Sequence, residues 1–195
     1  MKKLLTALMI FAAGASLQAN TDGYVMLSVF HPGQIPIATT SLDGVRFNVI
    51  YGECQNINGL DLGFAGRVRE RMNGLQLAAG ANFIGTDANG AQFACVNYIE
   101  GDYAGFQLGL WNAIGGDGAG CQFGIWNDVS KYAGFQLGLV NWAQEFKGFQ
   151  LGLVNYAQKG DFFQLGLVNV NGNAYNQDNG EREVKYILPF VNWNW

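Results

Sequence analysis

Histidine occurs once, proline three times and cysteine three times in this 195-residue chain, and charged residues make up only 13% of it. Each scarcity removes a class of answer. His31 stands beside Pro32 with no second histidine to share a metal, so packing in a terminal flank is expected of it rather than ligation. Cys54, Cys95 and Cys121 cannot all pair within one chain and form no Cys-x-x-Cys arrangement. They read as small buried apolar fillers. No serine sits in a nucleophile-elbow motif and no phosphate-binding glycine loop opens a helix. No cofactor is therefore implied, and the chain reads as non-enzymatic. Asp102 and Asp117 recur 15 residues apart and would stack on one face, but the neighbouring units lack a partner carboxylate, so solvated turns are the expectation.

The first residues have the layout of a secretory signal. Lys2 and Lys3 form a basic start, Leu4 to Ala13 an apolar stretch, and small residues lead into Leu17-Gln18-Ala19. The apolar stretch is well short of the roughly 20 residues that a membrane-spanning helix needs. Cleavage after Ala19 is expected, and Asn20 stands where a lipid-modified cysteine would be required. The localisation expected is export, to the periplasm, outer membrane or cell surface. Without the signal, nine Lys and Arg face 15 Asp and Glu, a net charge of −6. That balance makes nucleic acid a poor partner.

What the chain has in abundance is glycine, 28 residues, arranged with a period. The segments Gly105-Phe-Gln-Leu-Gly-Leu-Trp-Asn112, Gly134-Phe-Gln-Leu-Gly-Leu-Val-Asn141 and Gly148-Phe-Gln-Leu-Gly-Leu-Val-Asn155 are near-copies. A glutamine column runs through Gln76, Gln92, Gln107, Gln122, Gln136, Gln150 and Gln164, preceded by the degenerate members Arg46 and Asp61. The spacings are 14 to 16 residues, giving about nine units. Apolar residues hold the places one before, one after and three after the glutamine, a period of 2 that specifies a strand. The same phase, extended, reaches the asparagine column Asn97, Asn112, Asn127, Asn141, Asn155 and Asn169. The return segments carry one bulky residue four before each glutamine, such as Leu42, Ile57, Met72, Tyr103, Tyr132 and Phe146, suggesting a second short side of a coil.

Five to eight residues of return are too few for a helical crossover. The economical fold is an all-β solenoid of about nine coils, with phenylalanine and leucine columns inside and amide ladders joining glutamine to glutamine and asparagine to asparagine. A small outer-membrane β-barrel with one antiparallel strand per unit is the alternative, favoured by the aromatic terminus Asn192-Trp193-Asn194-Trp195. The organisation expected is a signal over 1–19, an N-terminal cap region over 20–43, the repeats over 44–170 and a C-terminal cap over 171–195. Arg46 and Asp61, with the charged run Arg67 to Arg71, suggest an exposed early coil edge or a small contact site. Trp111, Trp126, Trp142, Tyr156 and Tyr98 share a phase opposite to the phenylalanine and leucine columns. They form a candidate interaction stripe for a protein or envelope partner if they face outward, and core if both faces are covered.

The column pattern resembles the bacterial surface-repeat proteins first described in leptospires, whose units read like Gly-x-Gln-Leu-Gly-Leu-Val-Asn. The likeness covers most of the chain beyond the signal: the opening Met26-Leu-Ser-Val-Phe30, then Gly44-Val-Arg-Phe-Asn-Val-Ile-Tyr-Gly52, Gly59-Leu-Asp-Leu-Gly63, the repeats, and Leu188-Pro-Phe-Val-Asn192. It implies an exported, surface-associated repeat protein. Some members look like lipoproteins, and this chain departs from them at Asn20. A weaker similarity links Gln136-Leu-Gly-Leu-Val-Asn-Trp-Ala143 and Gln150-Leu-Gly-Leu-Val-Asn-Tyr-Ala157 to curlin fibre subunits, whose units are longer. It implies self-association into fibres.

Overall fold

The structure, a computed structural model, describes residues 23–172 and 186–194. The expected signal over 1–19 and most of the polar C-terminal flank lie outside the described residues. The chain forms β1 (Gly23–Phe30), β2 (Gly33–Ile35), β3 (Ser41–Cys54), β4 (Asn56–Val68), β5 (Met72–Ile84), β6 (Ala88–Phe93) and β7 (Val96–Ile99). It continues through β8 (Tyr103–Leu108), β9 (Trp111–Phe123), β10 (Trp126–Leu137), β11 (Val140–Leu151), β12 (Val154–Lys159), β13 (Phe162–Asn171) and β14 (Tyr186–Asn194). Successive coils pair in parallel, in register: Met26, Arg46, Asp61, Gln76, Gln92, Gln107, Gln122, Gln136, Gln150 and Gln164 form one column of ten layers. The fold is a β-solenoid. An up-and-down barrel would place consecutive strands antiparallel, so the barrel alternative is overturned. Among the described residues only β1 with β2 and β13 with β14 are antiparallel.

The tenth layer comes from β1, which the sequence places in a cap region and which stacks in parallel on β3. A short hairpin to β2 finishes that end. At the other end β14 covers β13, with a register break between Gly166 and Asn169 and Pro189 within the strand. A proline on an edge strand removes a free N–H and blocks further pairing.

Each coil has two sides. Tyr103 to Leu108 runs along the first side, the backbone bends at Gly109 and Leu110, and Trp111 to Ile114 runs along the second. On the first side Tyr103 and Gln107 point in and are buried, while Phe106 and Leu108 lie on the outer surface. The bend makes two successive residues, Leu110 and Trp111, face outward. Phase is thereby inverted, and Asn112 and Ile114 come in. The expectation that phenylalanine and leucine columns fill the interior is therefore wrong. Those columns are outside and the amides are inside. The opening glycines permit the tight stack: Gly134 has φ +145°, and a Cβ there would sit 2.0 Å from the carbonyl oxygen of Gly120 in the coil below.

The interior is divided. Near the bend lie the two amide columns. Near the far turn lies an apolar core built from Leu42, Ile57, Met72, Ala88, Tyr103, Tyr132, Phe146 and Phe162 together with Cys54, Val68, Ile84, Ile99, Ile114, Val129, Ala143 and Ala157. The bulky return-segment residues belong to this core. Volumes compensate between the two sets: where one falls to Ala143 and Ala157, the other supplies Phe146 and Phe162, and Tyr132 fills the space a side chain at Gly118 would need.

The glutamine amides form an unbroken chain of hydrogen bonds. Each Nε2 donates to the Oε1 of the preceding coil, from Gln164 to Gln150, Gln136, Gln122, Gln107, Gln92 and Gln76, at 2.7 to 2.9 Å. Asn192 Nδ2 closes the far end on Gln164 Oε1 at 2.8 Å. The asparagine ladder runs the other way, from Asn82 through Asn97, Asn112, Asn127, Asn141 and Asn155 to Asn169, at 2.8 to 2.9 Å. The asparagine Nδ2 groups also reach backbone carbonyls, as Asn112 does to Phe123 O at 2.9 Å.

The glutamine ladder ends on a carboxylate. Gln76 Nε2 donates to Asp61 Oδ2 at 2.7 Å, and Asp61 takes three further bonds from Arg46 Nε at 2.8 Å, Arg46 Nη2 at 2.6 Å and Asn48 Nδ2 at 2.8 Å. Arg46 and Asp61 are both buried, so they form no exposed edge or contact site, whereas Arg67, Arg69, Glu70 and Arg71 of the charged run are exposed. The guanidinium takes the room that the asparagine column leaves at Gly66, where a Cβ would lie 2.6 Å from Arg46 Nη2, and Asn48 takes the room at Gly52. Burial by itself disfavours the charge on Arg46, and attraction to Asp61 outweighs it, holding the guanidinium above its ordinary range.

Two substitutions test this interior. Gln136→Ala strands Gln122 Oε1 and leaves Gln150 Nε2 with Tyr156 O at 3.4 Å as its remaining acceptor, and is expected to cost about 1–3 kcal/mol, read as a lower urea midpoint. Asp61→Asn leaves the buried Arg46 charge uncompensated and is expected to cost about 3–5 kcal/mol on the same measurement. A change below ~0.5 kcal/mol in either would remove the ladder from the account of stability.

Candidate functional site

The bend that takes amides inward pushes apolar side chains out on three adjoining surfaces. On the second side, Val96, Trp111, Trp126, Val140, Val154 and Val168 form one stacked column. Two residues further along lie Phe83, Tyr98, Ala113, Asp128, Trp142 and Tyr156. The five stripe residues read from the sequence are thus brought onto one outward face. Trp111 and Trp126 are 48% and 47% exposed, Trp142 and Tyr98 are exposed as well, and Tyr156 is half-buried. Large and small residues alternate between the two columns, so each of these five layers presents one large ring. Trp142 and Tyr156 stack with centroids 3.8 Å apart and planes at 11°. Asp128 is the acidic member of this face, and burial pushes its carboxyl above the ordinary range.

The sequence reading missed the remaining two surfaces. Along the bend, Leu110, Ile125, Leu139, Leu153 and Leu167 form a convex edge, each 47% to 57% exposed. On the first side, Phe93, Phe106, Phe123, Phe135, Phe149 and Phe163 make a continuous row of rings with centroids 5.2 to 5.8 Å apart. Such spacing is within the range of favourable aromatic pairs. A signal for this arrangement was present: Leu110-Trp111 and Ile125-Trp126 put two bulky apolar residues in successive places, which no unbroken strand with one buried face does.

Charge is kept away from the bend and the columns that flank it, Asp128 lying one column further out. In the columns one before, one after, three after and four after the glutamine, no charged residue occurs between Leu75 and Val168. Charges gather instead at the far turns. Arg71 and Asp87, Lys131 and Asp117, and Lys159 and Glu145 pair there at 3.8, 3.5 and 2.9 Å. Asp87 and Asp102 each accept the backbone N–H of the residue one coil on, Asp102 and Asp117, at 3.1 and 2.7 Å. These carboxylates serve the stacking of turns, and among the described residues no group of three or more His, Cys, Asp or Glu is placed to hold a metal.

A depression interrupts the second side. The column holding Trp111 falls to Ala65 and Ala81 before rising at Tyr51, leaving a groove of about 460 Å³ walled by Tyr51, Arg67, Phe83, Tyr98, Glu100 and Trp111.

The cysteines divide by position. Cys54 is fully buried, accepts from Arg46 Nη1 at 3.0 Å, and its thiol is pushed up to about 12 by burial. Cys95 is exposed, contrary to the filler expected there, because its column lies on the outer edge; Cys121 is half-buried.

No known protein family, curated protein or solved structure matches this chain.

The thiols report the inside-out arrangement directly. In the folded protein a maleimide is expected to modify Cys95 first and to reach Cys54 only on unfolding, as followed by mass spectrometry of quenched samples. Equal rates at the two would contradict the placement of their columns.

Proposed function

We propose that this protein is an exported, non-enzymatic component of the bacterial cell envelope, acting as a structural or interaction module. One observation carries the reading: a scaffold stitched by two amide ladders presents a bend and flanking columns that are apolar and carry no charge from Leu75 to Val168. Monomeric soluble proteins rarely expose apolar patches beyond a few hundred Å², and larger ones mark protein or membrane contacts. The signal-like start supports export, and the net charge of −6 beyond it suits an envelope protein better than a nucleic-acid binder. The column likeness to the leptospiral surface-repeat proteins points the same way. Partners on this reading are an envelope protein, the outer membrane, or another copy.

A fibre subunit is the weaker reading. The antiparallel strand β2 covers the later half of β1, and β14, which carries Pro189, covers β13, so coil-on-coil growth is hindered at both ends.

Fractionation of expressing cells tests the proposal. The protein is expected in the envelope fraction with an N-terminus at Asn20, resistant to high-salt extraction and released by mild detergent. Recovery in the cytoplasm with Met1 or Lys2 still present, or a specific catalytic turnover by the purified protein, would overturn it.

A further inference from the structure

We infer that the convex edge formed by Leu110, Ile125, Leu139, Leu153 and Leu167, with its phenylalanine and tryptophan flanks, inserts into the hydrocarbon margin of a lipid surface while the charged turns stay in water. The inference rests on the envelope reading above and narrows its partner to lipid.

Shape decides first. The apolar surface wraps around a bend, with phenylalanine rings on one side and Trp111 and Trp126 on the other. A second copy laid against the phenylalanine side would cover a strip of ten layers, about 48 Å long at about 4.8 Å per layer. With a width of about 14 Å, four residues at about 3.4 Å each, this is roughly 700 Å² per partner, close to the roughly 800 Å² of a standard interface. It would leave the leucine edge and the tryptophan side in water. A fluid apolar phase covers all three surfaces together.

Backbone chemistry agrees. A chain segment in contact with lipid must satisfy its own N–H and C=O groups. Bends are ordinarily where a chain turns to water, with polar side chains and loose hydrogen bonding. Here the bend N–H groups of three edge residues bond to the coil before: Leu110 N to Cys95 O at 2.9 Å, Ile125 N to Leu110 O at 3.0 Å, Leu153 N to Leu139 O at 3.0 Å. The next residue behaves alike, with Trp126 N to Leu110 O and Val140 N to Ile125 O at 2.9 Å. The residues at the bend are leucine and isoleucine.

The order of residue types away from the edge is that of an interface. Leucine and isoleucine lead, tryptophan and tyrosine follow at Trp111, Trp126, Trp142 and Tyr156, and the paired charges at Lys131, Glu145 and Lys159 lie at the opposite turns. Tryptophan and tyrosine gather at the headgroup level of membranes. The charge of the protein is acidic beyond its signal, so attraction to anionic lipid plays no part and the apolar edge supplies the affinity.

The test uses the protein exported by expressing cells, purified in mild detergent and freed of it in the presence of vesicles. It is expected to float with phosphatidylcholine vesicles as well as with phosphatidylethanolamine and phosphatidylglycerol vesicles, at low and high salt. Its tryptophan fluorescence is expected to shift blue and to be quenched by brominated acyl chains. Leu139→Lys with Leu153→Lys, on exposed positions, should weaken partition roughly a hundredfold with an unchanged circular dichroism spectrum. Lys131→Gln, at the far turn, should leave it unchanged.

Failure of the unsubstituted protein to float, or absence of quenching by brominated lipid, overturns the inference, and the quenching result does not depend on how any variant folds. A stable dimer in vesicle-free buffer that the two lysines dissociate also overturns it, in favour of an interface between copies. Each of these leaves an envelope location standing if fractionation finds one, whereas a cytoplasmic location removes the envelope reading whatever the vesicles show.

Discussion

A side-chain amide sealed from water needs a partner for its N–H₂ and another for its oxygen, and most protein interiors cannot supply both in one direction repeatedly. Parallel, in-register stacking does so with no search. The residue one coil away is identical, about 4.8 Å distant, and presents the complementary group. Gln122 gives to Gln107 and takes from Gln136; Asn127 takes from Asn112 and gives to Asn141. Any layer that slipped by one residue would break two ladders at once, so the amides hold register in a way that an apolar core, indifferent to sliding, does not. The opposite senses of the two ladders also set their amide dipoles against each other, which limits the field that either would build alone.

The ladders make demands at their ends. A run of donors must finish on an acceptor, and the one used is a carboxylate, Asp61, whose charge then calls for a buried cation. Arg46 answers it with two hydrogen bonds and spans to Arg67 O and Cys54 Sγ. Gly66 replaces asparagine so that the guanidinium fits, and Gly52 does so for Asn48, which also bonds Asp61. The start of the asparagine ladder is less complete, since Asn82 Oδ1 has no hydrogen-bond partner. What looks like degeneration of the repeat in the early coils is a different solution to the same requirement.

Placing the amides inside displaces the apolar residues. A coil of 14 to 16 residues encloses a cross-section with room for four inward columns, and two of these are glutamine and asparagine. The aliphatic and aromatic side chains left over must face outward. They concentrate at the bend because the far turns carry the charges. The cross-section therefore has an apolar exterior over a polar interior at one end, and a charged exterior over an apolar interior at the other. This segregation gives the molecule one edge suited to water and one suited to hydrocarbon, and the proposals on its function follow from it.

Much of this was written in the chain. The period, the parallel in-register stacking and the amide ladders followed from Gln76 to Gln164 recurring at 14 to 16 residues with returns too short for a helix, and the outward stripe of Trp111, Trp126, Trp142, Tyr156 and Tyr98 was legible as a phase. Which phase is inside was not legible. Alternation along a strand defines two faces without saying which one is enclosed, and composition favours putting phenylalanine and leucine in. The decision belongs to the bend at Gly109 and Leu110 and its equivalents, where two successive residues point outward and the phase inverts. Once the coil closes, glutamine and asparagine from opposite sides face the same interior, and only the three-dimensional enclosure shows that each has a partner above and below while the leucine beside it has none.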